Sequence, residues 1–159
     1  MNAPLPPPEF LSLARDAAAK HSLDPALVCA VVEQESAWDA HAIRYEPAFR
    51  TRYVAPLGLP PTEEIARSIS WGLMQVMGQV AREHGFAGKF LSALCDPAAG
   101  LDAGCAVLVS KVAAATAAAQ SHGALPDASA LSAAALQLWN GGGNPNYAAE
   151  VLARIANYK

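Results

Sequence analysis

The chain has 159 residues and a formal net charge of -3, with 53% hydrophobic and 16% charged residues. That length fits one domain, and so apolar a composition excludes an intrinsically disordered chain. The acidic balance leaves no basic stripe for nucleic acid, and no run reaches the roughly 18 uninterrupted apolar residues of a membrane span. A soluble monomer without a membrane anchor is expected.

Residues 1–8 form a proline-rich lead-in (Pro4, Pro6, Pro7 and Pro8). It lacks the basic start and apolar core of a secretory signal, so synthesis in the cytoplasm is expected. Phe10, Leu11, Leu13, Ala14, Ala17 and Ala18 then keep a helical period to about His21. Asp24-Pro25 reads as an N-cap with proline in the first turn, opening a helix to about Ala37. From Asp39 to Ser70 the pattern is broken by Pro47, Pro56, Gly58, Pro60 and Pro61. Short helices are expected there near Phe49–Tyr53 and Thr62–Arg67, and an irregular segment this long is more often functional than idle.

Gly72–His84 reads as a helix closed by Gly85. Asp96-Pro97 repeats the cap and opens the longest helix, to about His122, on which Gly100 and Gly104 mark close approach by a neighbour. Pro126–Trp139 and Tyr147–Tyr158 complete the set, separated by Asn140-Gly141-Gly142-Gly143-Asn144-Pro145. The 36 alanines favour helix, and no strand alternation stands out. The fold class expected is all-α.

Cys29, Cys95 and Cys105 have no metal-type spacing. Three buried thiols acting as small hydrophobes is the preferred reading, with a Cys95–Cys105 bridge as the alternative. His21, His41, His84 and His122 share no metal-ligand spacing either, so no metal or other cofactor is expected.

The informative segment is Val28 to Trp38. At about 100° per residue, Val28, Val31, Val32 and Trp38 fall on the same side as Glu35, while Glu33 points the other way. Glu35 thus sits on an apolar stripe, where desolvation raises a carboxylate pKa toward that of a general acid. The alternative is a helix-end carboxylate with its head in water. Glu33 is expected on a solvated face. Ser70-Trp71-Gly72-Leu73-Met74-Gln75 and Leu138-Trp139-Asn140-Gly141 are weaker signals, each as easily core or turn.

In combination, Glu35-Ser36, Gly72-Leu73-Met74-Gln75, and Asn140-Gly141 with Tyr147 downstream resemble the soluble-lytic-transglycosylase (SLT) family of the lysozyme superfamily. Its members cleave the glycan strands of bacterial peptidoglycan. The resemblance runs from about Leu13 to Tyr158 and implies a lysozyme-like catalytic domain over 9–159, with the irregular insertion at about 39–70. It implies that Glu35 is the single catalytic acid/base and that Ser36 shapes the site. Met74, Gln75, Asn140 and Tyr147 would line the groove for peptidoglycan strands.

Two departures stand out. The family's serine ahead of the glycine falls on Ala66, leaving Ser68 or Ser70 to replace it. Trp139 stands where the family has tyrosine, and indole is only an N–H donor; Tyr147 or Tyr45 would have to supply a hydroxyl. Trp139 either stacks on a sugar or fills the core, the core being preferred.

Glu46 is the rival key residue, either a second carboxylate for hydrolysis or an ion pair with Arg44 or Arg50; the ion pair is preferred. Asp39 is a weaker candidate. Arg67, Arg82 and Lys89 are read as solvated charge, with contact to anionic peptide stems as the alternative. Three functions follow: a lytic transglycosylase forming 1,6-anhydro ends, a hydrolytic lysozyme with Glu46 or Asp39 activating water, or a non-catalytic glycan-binding module. Action on the wall, in the periplasm or beyond, would follow export or lysis.

Overall fold

Aspartate and proline set the helix starts. The computed structural model describes residues 6–123 and 127–159, so the first five residues and Pro126, expected to open a helix, lie outside the described residues. In chain order the helices are α1 (Pro8–Lys20), α2 (Pro25–Ser36), α3 (Pro47–Phe49), α4 (Pro61–Arg67), α5 (Gly78–Glu83), α6 (Pro97–Ser121), α7 (Ala128–Asn140) and α8 (Tyr147–Arg154). Asp24, Asp96 and Asp127 cap α2, α6 and α7, accepting from the amides of Ala26, Ala99 and Ala130 at 2.9, 2.9 and 2.7 Å.

The mostly helical, lysozyme-like class holds. α1 packs on α2 and α6, α6 on α7, α7 on α8, and α8 with the closing turn Ile155–Tyr158 returns to α2. This closed cycle explains why Ala26 to Val32 of α2 are all buried, each valine contributing on the order of 1.5–3 kcal/mol. By length and composition α6 is the one described helix that could cross a membrane; Gly100, Leu101, Gly104, Cys105 and Leu108 face the core instead.

The structure adds a sheet that alternation did not reveal. β1 (Ile43–Tyr45), β2 (Ile69–Trp71) and β3 (Val76–Met77) pair antiparallel in that order. Each has only two or three residues, too few for a period of two to show. The helix expected over Gly72–His84 exists only from Gly78. Its first part is the β2–β3 turn, in which Gly72 and Gln75 take left-handed backbones at φ +67° and +48°. A helix cannot pass through those angles.

Within this turn Leu73 and Met74 are buried. Met74 packs against Gly104 of α6 and belongs to the core rather than to a groove, correcting the role implied for it. The expected short helices appear as α4 and as a run of α3, a wide π turn (Arg50–Val54) and a tight turn (Ala55–Leu57).

All three cysteines are free, so the Cys95–Cys105 alternative falls. Burial pushes the Cys29 and Cys105 thiols up to about 11 and about 12, leaving them inert as small hydrophobes.

The glycines of α6 mark true close approaches. A Cβ on Gly100 would lie 2.3 Å from the Leu94 carbonyl oxygen, a backbone atom that cannot swing aside. Gly100→Ala is expected to destabilise the chain by about 1–3 kcal/mol through overpacking, although alanine gains roughly 1 kcal/mol of helix propensity. Urea denaturation measures this, and an unchanged or higher midpoint would refute the close contact.

Candidate functional site

Glu35 occupies the last turn of α2, directly after the buried run. Beyond it the helix stops abruptly: Ala37 and Trp38 adopt left-handed backbones at φ +49° and +67°. Such backbones cost on the order of 1–3 kcal/mol each and persist only where packing enforces them. Here the Trp38 ring is buried, tilted against Tyr158 at 5.9 Å, and its indole N–H donates to the Tyr158 hydroxyl at 3.0 Å. Ser36 closes the other side, its hydroxyl donating to the Leu73 carbonyl at 2.8 Å and tying α2 to the β2–β3 turn. Ser36 therefore positions the helix end and is not among the residues lining the cleft below.

The carboxylate of Glu35 opens onto a cleft of about 680 Å³. Two donors from distant segments converge on one of its oxygens. The Tyr147 hydroxyl donates to Oε1 at 2.5 Å and the Trp139 indole N–H donates to the same Oε1 at 2.9 Å. Among the described residues no side chain or amide bonds the other oxygen, Oε2. Burial raises the Glu35 pKa above the ordinary carboxylate range, against the lowering pull of the Tyr147 and Trp139 bonds and of the Arg44 charge. The negative end of the α2 dipole acts in the same direction as burial. Burial together with the nearby Glu35 carboxylate drives the Tyr147 phenol strongly upward, so it remains a donor.

The sheet forms the facing wall. Its register aligns Arg44, Ser70 and Met77 in one row across the three strands, and all three line the cleft. The Ser70 hydroxyl donates to Gln75 Oε1 at 2.8 Å, while Gln75 Nε2 donates to the carbonyls of Ala42 and Gly72 at 2.8 and 2.9 Å. The Gln75 amide thus locks the turn, with both of its N–H donors committed. Of the two serines considered, Ser70 lines the cleft, whereas Ser68 is buried and bonded to the Glu64 carbonyl.

Sequence-based expectations fare unevenly against this geometry. Gln75, Asn140 and Trp139 line the cleft with Glu35, and Tyr147 reaches Glu35 from beneath. Trp139, preferred as core, is half-buried: it packs against the core and also lines the cleft. Tyr147 rather than Tyr45 supplies the hydroxyl. Asn140 donates to the Asn144 carbonyl at 3.1 Å, shaping the loop after α7.

Glu46 lines the same cleft, bound by Arg44 Nε at 2.5 Å, while Arg50 pairs with Glu64 instead. Asp39 accepts from the His41 amide and is not among the lining residues. Glu33 is not solvated: Tyr158 donates to it at 2.6 Å and Arg154 lies 3.5 Å away. The closing turn Ile155–Tyr158 covers that face of α2, which a helical wheel of α2 alone cannot register.

Arg67 and Arg82 are half-buried structural cations, bonded to Glu63 and Gln79 and to the Phe86 and Gly88 carbonyls. Lys89 sits 5.4 Å above the Phe90 ring. No cluster of potential metal ligands occurs among the described residues. Unforeseen members of the cleft are Phe49, Tyr53, Val107, Lys111 and Leu138. The Phe49–Tyr53 pair, with rings 4.9 Å apart, had a visible signal in its i, i+4 spacing.

A family model described as the transglycosylase SLT domain matches residues 12–136, more than three quarters of the chain. No curated protein and no solved structure matches it. The match stops short of Trp139, Asn140 and Tyr147, which meet Glu35 or its cleft through the fold alone.

Because the folded pKa of Glu35 is raised, the native state keeps this proton to higher pH than the unfolded chain. The stability this contributes is fully present below the unfolded value of about 4.3 and is lost as pH rises through the folded value. Glu35→Gln keeps an acceptor for both donors and cannot ionise. The variant should gain stability over the parent as pH rises from about 4 toward about 8. Paired thermal unfolding across that range tests it; a difference that stays flat with pH would contradict the raised pKa.

Proposed function

Since the chain belongs to the transglycosylase SLT domain family, we propose that Glu35 is the sole general acid/base in cleaving the β-1,4 bond between N-acetylmuramic acid and N-acetylglucosamine of peptidoglycan. The observation that carries this reading is the split environment of its carboxyl group. Oε1 is held by Trp139 and Tyr147, and Oε2 is left to exchange a proton in the cleft.

In the first half-reaction Oε2–H protonates the glycosidic oxygen. The bond to C1 of the muramic sugar breaks and the glucosamine leaves with a free hydroxyl. The resulting carboxylate then takes the proton of the muramic C6 hydroxyl, whose oxygen closes on C1 to form the 1,6-anhydro ring. The proton count returns Glu35 to its acid form. Both neutral donors bond more strongly to the carboxylate than to the acid, which restrains the rise in pKa caused by burial. That balance suits a group that must give and then take a proton. Attack by a tethered hydroxyl also needs no captured water.

The hydrolytic alternative requires a carboxylate to activate water. Glu46 is in the cleft with Oε1 bonded by Arg44 Nε, which makes its replacement the control that separates the two readings. The enzyme would meet its substrate in the cell wall, reached by export or lysis.

Glu35→Gln should reduce clearing of purified cell walls about 10²–10⁴-fold, with Glu46→Gln remaining within a few-fold of the parent. Mass spectrometry of the digest should find muramic ends one water lighter than hydrolysis products. Reducing ends alone, together with an inactive Glu46→Gln, would establish a lysozyme. Binding to walls without any cleavage would establish a glycan-binding module.

A further inference from the structure

Four charged side chains line the cleft: Glu35, Arg44, Glu46 and Lys111. Arg44 Nε pairs with Glu46 Oε1 at 2.5 Å. Glu35 is held by two neutral donors. Lys111 is left over. It is half-buried in the wall made by α6 and, among the described residues, forms no hydrogen bond or ion pair. The other lysines of α1 and of the segment before α6 are engaged, Lys20 with Asp102 and Lys89 over Phe90.

Its surroundings specify more than a lone charge would. Val107 lies one turn before Lys111 on the same face of α6, and both line the catalytic cleft. Ala115, one turn after, lines a second hollow of about 720 Å³ between α6 and α7. Leu138 and Gly141 border both hollows. Lys111 thus stands at the passage from a polar cleft to one walled by alanines. A sugar ring needs many polar partners; a short peptide with methyl-sized side chains and an acidic group needs one cation and small apolar walls.

We propose that Lys111 binds a carboxylate of the peptide stem carried by the substrate strand, so that the site takes stem-bearing glycan in preference to stripped glycan. This rests on the peptidoglycan reading above. A carboxylate could also come from the lactyl group of the muramic sugar, which is free once the stem has been removed; the two sources separate by experiment.

Binding is measured by tryptophan fluorescence on the Glu35→Gln variant of the 159-residue chain, using a soluble disaccharide–tetrapeptide and the same disaccharide with a free lactyl group. Glu35→Gln should bind the peptide-bearing fragment more tightly, and less so as salt increases. Adding Lys111→Met should weaken that fragment roughly three- to tenfold and abolish the preference. Lys111→Arg should restore it, and thermal unfolding confirms that each variant is folded. An unchanged preference in Lys111→Met, or equal weakening of both fragments, overturns the stem assignment while leaving the glycan reading intact. If neither fragment binds and the parent chain cleaves no wall, both readings fall together.

Discussion

A carboxyl group that ends a buried helix must be held in a setting that disfavours its charge, and most of this molecule serves that constraint. Burial of α2 on every side supplies the low-dielectric setting that favours the protonated form of Glu35. Burial alone would leave two polar oxygens unsatisfied at a cost of several kcal/mol. The last turn of α7 and the start of α8 therefore bring an indole N–H and a phenol O–H to Oε1. Neither donor carries a charge, so neither forces ionisation as a lysine or arginine in contact would. The strained backbone at Ala37 and Trp38 stops the helix one turn past the core, and Trp38, Tyr158 and Ser36 fix that stop.

The insertion between α2 and the β2–β3 turn has a comparable logic. It supplies β1, which pairs with β2 and completes a wall opposite α6 and α7. Glu46, at the exit of β1, anchors the chain to Ser68 by its amide at 2.9 Å and to Arg44 by its side chain. Gln75 then ties the turn to Ala42 at the insertion's start. These bonds explain how a segment rich in proline and glycine forms a defined surface. They commit both N–H donors of Gln75 and one oxygen of Glu46, while Oε2 of Glu35 and the Lys111 ammonium face the cleft without a hydrogen bond among the described residues.

Much of this was legible in the amino-acid order, for identifiable reasons. Helix starts were readable because Asp-Pro pairs act locally, and Glu35 because a carboxylate on an apolar stripe is costly wherever the stripe lies. The SLT resemblance depended on short motifs whose order survives even where serine and tyrosine are exchanged. What was illegible depends on distant partners. Met74 looks like a groove residue until Gly104 of α6 is placed against it. Glu33 looks solvated until the closing turn Ile155–Tyr158 wraps over it. The sheet escaped notice because its strands are shorter than any detectable period, and Gly72–Gln75 has apolar spacing equally compatible with a helix or a tight turn. Trp139 was ambiguous because an indole satisfies a core and a carboxylate equally well.

Glu33 and Glu35 show how little the sequence neighbourhood decides. They lie two residues apart on one helix, and both are largely withdrawn from water. Each accepts from a tyrosine, at 2.6 and 2.5 Å respectively. The difference is the second partner. Glu33 meets the Arg154 guanidinium, whereas Glu35 meets the neutral indole of Trp139. That guanidinium and the Tyr158 hydroxyl tie Glu33 to α8 and the closing turn. A neutral donor orients the group in either charge state. Replacing the family's tyrosine by tryptophan preserves that neutrality, because indole donates and has no pKa within reach. Exchanging the hydroxyl for an N–H alters which ring fills the wall of the cleft while leaving the electrical requirement on Glu35 unchanged.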